Sequence, residues 1–101
     1  MQQRLDDILE TLASTSSGKI TYLKLARRLG IFSAKLSPLL EQRMQKDFAT
    51  GRPLLSALVV SSSTGLPSDG FVDAAKRLGF TWQSRGAFIA QQQSDARVFY
   101  A

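Results

Sequence analysis

Apolar residues recur at helical spacing through most of this chain and run almost unbroken in one place. Leu5, Ile8, Leu9 and Leu12 fall at i, i+3, i+4 and i+7, which predicts a first helix over about 3–13 with Asp6, Asp7 and Glu10 on its solvent side. Tyr22, Leu25, Ala26 and Leu29 predict a second over 22–29, with Thr21 as N-cap and Gly30 just past its end. Leu36, Leu39, Leu40, Met44 and Phe48 mark a third over 36–50, in which Pro38 is tolerable only near the first turn. Phe71, Ala74, Ala75 and Leu78 mark a fourth over 69–78, opened by Ser68 or Asp69 and closed by Gly79. Phe88, Ile89, Ala96 and Phe99 fit a terminal helix over 85–99, although Gly86 and the Gln91-Gln92-Gln93 tract weaken that pattern.

The strong β-signal lies between the third and fourth helices. Leu54, Leu55, Ala57, Leu58, Val59 and Val60 are apolar without alternation, as in a strand over 54–61 covered on both faces. Such a strand needs partners for its backbone groups. Lys19-Ile20-Thr21 and Phe80-Thr81-Trp82 are the extended segments available, unless a second copy supplies one. Loops are predicted at Ser14–Gly18 and Ser61–Pro67, where turn-forming residues cluster. The fold class expected is α+β, mostly α, with a small two- or three-stranded sheet.

Composition narrows the function. The 101 residues form one domain with one modest core, and the 44% hydrophobic content excludes disorder. No apolar run is long enough to span a membrane and no signal-peptide pattern opens the chain; a soluble, cytoplasmic protein with no membrane contact is expected. The chain has no Cys and no His. Disulfides, thiolate nucleophiles, imidazole bases and the usual zinc sites are thereby excluded. No phosphate-binding glycine motif or nucleophile elbow occurs, and the serines of Ser61-Ser62-Ser63 have no imidazole to activate them. The expectation is a non-enzymatic protein without catalytic residues, metal or cofactor.

Charge supplies the positive signal. Thirteen Lys and Arg against eight Asp and Glu give +5, a balance suited to a polyanionic partner. Lys24, Arg27 and Arg28 lie three and four residues apart on one face of the second helix. The tight turn to the third helix, which opens with polar and basic residues, is what a helix-turn-helix uses to place one helix in a major groove.

Lys19-Ile20-Thr21-Tyr22 followed by Leu25-Ala26-Arg27-Arg28-Leu29-Gly30 resembles the TYxxLAxxLG opening of the winged helix in alkylguanine-DNA alkyltransferases and alkyltransferase-like proteins. Leu58-Val59-Val60-Ser61, with its Gly65 turn, sits where that family has the strand and loop after its recognition helix. The resemblance covers about half the chain. It implies a winged-helix domain in which Tyr22 matches the tyrosine that rotates a nucleotide out of the duplex, and Lys35 stands near the arginine that fills the gap. The family's reactive Pro-Cys-His-Arg stretch has no counterpart before Val59, and the third helix lacks its small, Gly-containing packing pattern.

The expected function is a small DNA-binding protein. Lys24, Arg27, Arg28, Lys35 and Arg43 would hold phosphates, Tyr22 would contact a nucleotide, and Ser62, Ser63 and Thr64 would ride on a loop serving as the wing. The alternative is a protein-interaction module, such as an inhibitor, immunity or adaptor protein, on the same scaffold. It draws on the spread of charge, +3 in residues 1–50 and +2 in 51–101. Monomer and homodimer are equally compatible with the sequence. Alkyl transfer is excluded, because no thiolate exists to accept the group. Incubation with alkylguanine-containing DNA is expected to leave the protein mass unchanged; a stoichiometric mass gain would overturn this.

Overall fold

The computed structural model describes residues 1–15 and 18–101. Ser16 and Ser17, in the expected Ser14–Gly18 loop, lie outside the described residues. Five helices and one small sheet follow in the order α1 (Gln2–Ala13), β1 (Ile20–Thr21), α2 (Tyr22–Leu29), α3 (Leu36–Ala49), β2 (Val59–Val60), α4 (Asp69–Leu78) and α5 (Arg85–Phe99). Short 3₁₀ turns cover Ser33–Lys35 and Leu55–Leu58. The fold is α+β and mostly α. Its sheet has two strands, parallel, with Ile20 opposite Val59 and Thr21 opposite Val60; the helices α2 and α3 make the crossover that parallel pairing requires.

The apolar run departs from the expected strand over 54–61. Only Val59–Val60 is a strand, and the four residues before it form a 3₁₀ turn. A 3₁₀ turn has three residues per turn, so positions i and i+3 share a side. Leu54 and Ala57 accordingly pack with Met44, Phe71, Val72 and Ile89, whereas Leu55 and Leu58 pack with Leu5, Leu9, Leu25 and Leu36. The segment is the wall between two halves of the core. Each half covers one side, which explains the absence of alternation.

Side chains replace the missing strand partners. The Leu54 N–H donates to Gln92 Oε1 at 2.9 Å and the Leu55 N–H to Asp47 Oδ2 at 3.1 Å. Gln93 Nε2 donates to the Ala57 carbonyl at 2.9 Å, and the Ser56 hydroxyl donates to the Leu40 carbonyl at 3.0 Å. Two of the three glutamines that weaken the helical pattern of α5, Gln92 and Gln93, are thus its bonds to the core, while Gln91 bonds to Asp95 on the surface. Phe80 and Trp82 form no strand; they are half-buried against the second half-core, where Trp82 stacks on Phe88 at 4.4 Å.

Asp47 is held by Arg43, one turn earlier on α3, whose Nε lies 3.0 Å from Asp47 Oδ1. Both side chains are fully buried. Arg43 also donates to Glu10 Oε2 at 2.8 Å and to the Tyr100 hydroxyl at 2.8 Å, and stands 3.4 Å from Asp6. Asp6 is buried and Glu10 half-buried, so the expected solvent side of α1 is partly the lining of an ion-pair network. Phe48, expected on the core stripe, is half-exposed and meets Phe80 edge-on.

Burial opposes the charge on Arg43, but its bond to Glu10 and the fields of Asp47, Tyr100 and Asp6 outweigh that and raise its pKa further. Burial pushes the Asp47 carboxyl above its ordinary range, against the pull of the Leu55 N–H and of Arg43. Since the guanidinium keeps its proton at any accessible pH, the carboxylate remains its natural partner. Removing one member of such a pair strands the other in a dry interior, at a cost of roughly 3–5 kcal/mol. Arg43→Met is therefore expected to lower stability by about that much in urea titrations. Adding Asp47→Asn, which removes the stranded charge, is expected to recover part of the loss; a double mutant no better than the single would show that the pair is not the origin of the effect.

Candidate nucleic-acid interface

The helix α2 begins because the Thr21 hydroxyl accepts the Lys24 N–H at 3.2 Å. Leu25, Ala26 and Leu29 are buried on its inner face, which leaves Leu23, Lys24, Arg27 and Arg28 exposed on the outer one. Gly30 ends the helix at φ 70°, a left-handed conformation that side chains resist. The N–H groups of Gly30 and Ile31 return to the carbonyls of Arg27 and Ala26. Ile31 then packs against the core, and the 3₁₀ turn that follows, which packs on α2, carries Lys35, also exposed.

These residues hold the whole net charge of the chain. Between Glu10 and Glu41 the sequence has five cations, Lys19, Lys24, Arg27, Arg28 and Lys35, and no anion; elsewhere eight cations balance eight anions. All five are exposed, and among the described residues none takes part in an ion pair. Arg27 and Arg28 gain from the negative end of the helix dipole, about 0.3–1 kcal/mol each. Lys24 does not. It lies in the first turn, where the dipole opposes a cation, and it repels Arg27 and Arg28 across one turn.

Arg43 does not belong to this surface. Sequence reasoning placed it among the phosphate contacts, but its side chain is fully buried and engaged by three carboxylates and Tyr100, so no phosphate reaches it. The spacing carried the signal: Leu36, Leu40, Arg43, Met44 and Asp47 lie on one buried stripe of α3, and an Arg and an Asp one turn apart on such a stripe satisfy each other.

The remaining residues gather at the start of α2, the end that also carries Lys24. Parallel pairing sets the end of β2 beside the start of α2, and the loop after β2 is tied there by Tyr22, whose hydroxyl accepts the Ser68 N–H at 2.9 Å and donates to Ser68 Oγ at 3.2 Å. The Tyr22 ring rests on the core. Within the loop, Gly65 N–H donates to the Ser61 carbonyl at 2.8 Å and Ser61 N–H to the Leu66 carbonyl at 2.9 Å. Ser63 shares a hydrogen bond with Ser61 at 2.9 Å, and Thr64 bonds to Leu66. Ser62, Ser63 and Thr64 are exposed. This closed loop leads into α4 rather than into a second strand.

Beside Tyr22 lies a groove of about 390 Å³. Leu36, Leu40, Met44 and Phe71 line it together with the hydroxyls of Ser33 and Ser37. The candidate residues therefore divide into a cationic group, Lys24, Arg27, Arg28 and Lys35, that runs along the outer face of α2 and past its end, and a hydroxyl group, Tyr22, Ser62, Ser63 and Thr64, at or near the start of that eight-residue helix. No family model, curated protein or solved structure matches the chain.

The Tyr22–Ser68 bonds make a definite prediction. Tyr22→Phe keeps the ring but removes both bonds, so stability is expected to fall by about 1 kcal/mol and the Ser68 amide to exchange faster with deuterium. Unchanged exchange at Ser68 would mean that the tyrosine does not hold the loop.

Proposed function

We propose that this chain is a small, non-enzymatic nucleic-acid-binding protein that grips phosphates with the outer face of α2 and the turn after it. One observation carries the reading: the entire +5 charge resides in residues 19–35, on side chains that are exposed and, among the described residues, without ion pairs. Surface charge kept only for solubility is ordinarily interspersed with its opposite. Here the fold bears unrelieved repulsion on one short helix, and a polyanion relieves it. The resemblance of the Thr21–Gly30 stretch to the opening of a DNA-binding winged helix points to DNA as the polyanion. A cytoplasmic setting belongs to the same reading. Among the described residues no helix is long and apolar enough to cross a membrane.

In this reading Lys24, Arg27, Arg28 and Lys35 supply register-free affinity, since phosphate contacts carry no base information. Tyr22 acts by holding the Ser61–Pro67 loop next to the bound strand. The groove floored by Leu36, Leu40, Met44 and Phe71 favours a second reading, a protein-interaction module that receives an apolar side chain of its partner.

Affinity for a labelled duplex, measured by anisotropy across a salt series, separates them. The logarithm of the affinity is expected to fall with log salt by about 0.9 for each phosphate neutralised. Arg27→Ala/Arg28→Ala is expected to weaken binding to all sequences alike and to flatten the slope by roughly 1.8 if each arginine neutralises one phosphate. No binding to any nucleic acid at low salt would remove this reading and leave the partner-protein one.

A further inference from the structure

The cationic segment also presents two large apolar side chains to solvent, Leu23 on the outer face of α2 and Phe32 in the turn after it. Phe32 is 83% exposed, more than any other large hydrophobic residue described. Its position is set by its neighbours. The Gly30 turn sends Ile31 inward against the core, which turns the next side chain outward, and the Phe32 carbonyl then accepts the Lys35 N–H at 2.9 Å to start the 3₁₀ turn. The ring is thus mounted on a fixed stretch of backbone, bracketed in sequence by Arg27 and Arg28 on one side and Lys35 on the other. A phenylalanine left in water there contributes nothing to the core.

Resting on the nucleic-acid reading above, we propose that Phe32 is a stacking platform for an unpaired base, and that the preferred ligand is single-stranded or locally unpaired nucleic acid. Cations that track the backbone beside an aromatic face are the combination by which single strands are held without sequence preference. Bases in an intact duplex have both faces covered by their neighbours, so they offer the ring nothing. The segment does not suit insertion into lipid: Leu25, Ala26 and Leu29 of α2 are spent on the core, which leaves Leu23 alone as a large apolar side chain among the cations of its outer face, whereas an interfacial helix must bury a continuous apolar face.

The test compares binding of a labelled oligothymidylate and a blunt duplex of equal length by the parent, Phe32→Ala, Phe32→Leu and Phe32→Tyr proteins. The parent is expected to prefer the single strand. Phe32→Ala is expected to lose roughly five- to a hundredfold in affinity for the single strand and to leave duplex binding and melting temperature unchanged, because the side chain packs on little. Phe32→Leu is expected to behave like Ala, and Phe32→Tyr like the parent, since stacking needs a ring and not merely an apolar group. Equal loss on both ligands, or full retention by Phe32→Leu, would overturn the proposal while leaving phosphate binding intact. Failure of the parent to bind either ligand would instead remove the underlying reading. Tight binding to vesicles of phosphatidylserine that Phe32→Ala abolishes would also overturn it, in favour of a membrane surface.

Discussion

Seven consecutive residues, Leu54–Val60, are buried, and their peptide groups must find partners without water. That constraint shapes much of the molecule. Two residues are satisfied by β1, and those before them largely by side chains reaching in from α3 and α5. Asp47 accepts the Leu55 N–H with one oxygen while Arg43 holds the other, and Arg43 turns its remaining donors to Asp6, Glu10 and the Tyr100 hydroxyl. A buried backbone segment in the middle of the chain thereby draws both ends of the chain onto one guanidinium.

The same network accounts for the distribution of charge on the surface. Arg43 engages three of the eight acids, Arg77 engages Glu41, and Arg85 engages Asp69. Five of the eight acids, on α1, α3 and α4, are thus engaged, and α2 itself has none. The inner face of α2 packs into the core, while its outer face holds cations that have no ion-pair partner among the described residues.

Such a surface offers cations, hydroxyls and, at Phe32, the most exposed of the aromatic rings described; the chain has no His or Cys, and Asp6, Glu10 and Asp47 are committed to Arg43. The Tyr22 hydroxyl fastens the segment after the closed Ser61–Leu66 loop to the first turn of α2. That engagement sets a limit on any motion of Tyr22 toward a ligand: the tyrosine moves only if Ser68 moves with it or the two bonds break.

Helix positions were legible in the sequence because helical periodicity is a local property. Thr21, Gly30, Ser68 and Gly79 end or begin elements through contacts within a few residues, and all five helices lie within two residues of where the apolar spacing puts them. The outward face of Lys24, Arg27 and Arg28 was legible for the same reason. The conformation of Leu54–Leu58 was not. An apolar run records that both sides are covered, but whether its amides meet a strand or a Gln and an Asp depends on residues 8 to 38 positions away. The fate of Arg43 was likewise decided in three dimensions: a guanidinium reads as surface charge until Asp6, Glu10, Asp47 and Tyr100, drawn from three separate parts of the chain, converge on it and compensate its desolvation.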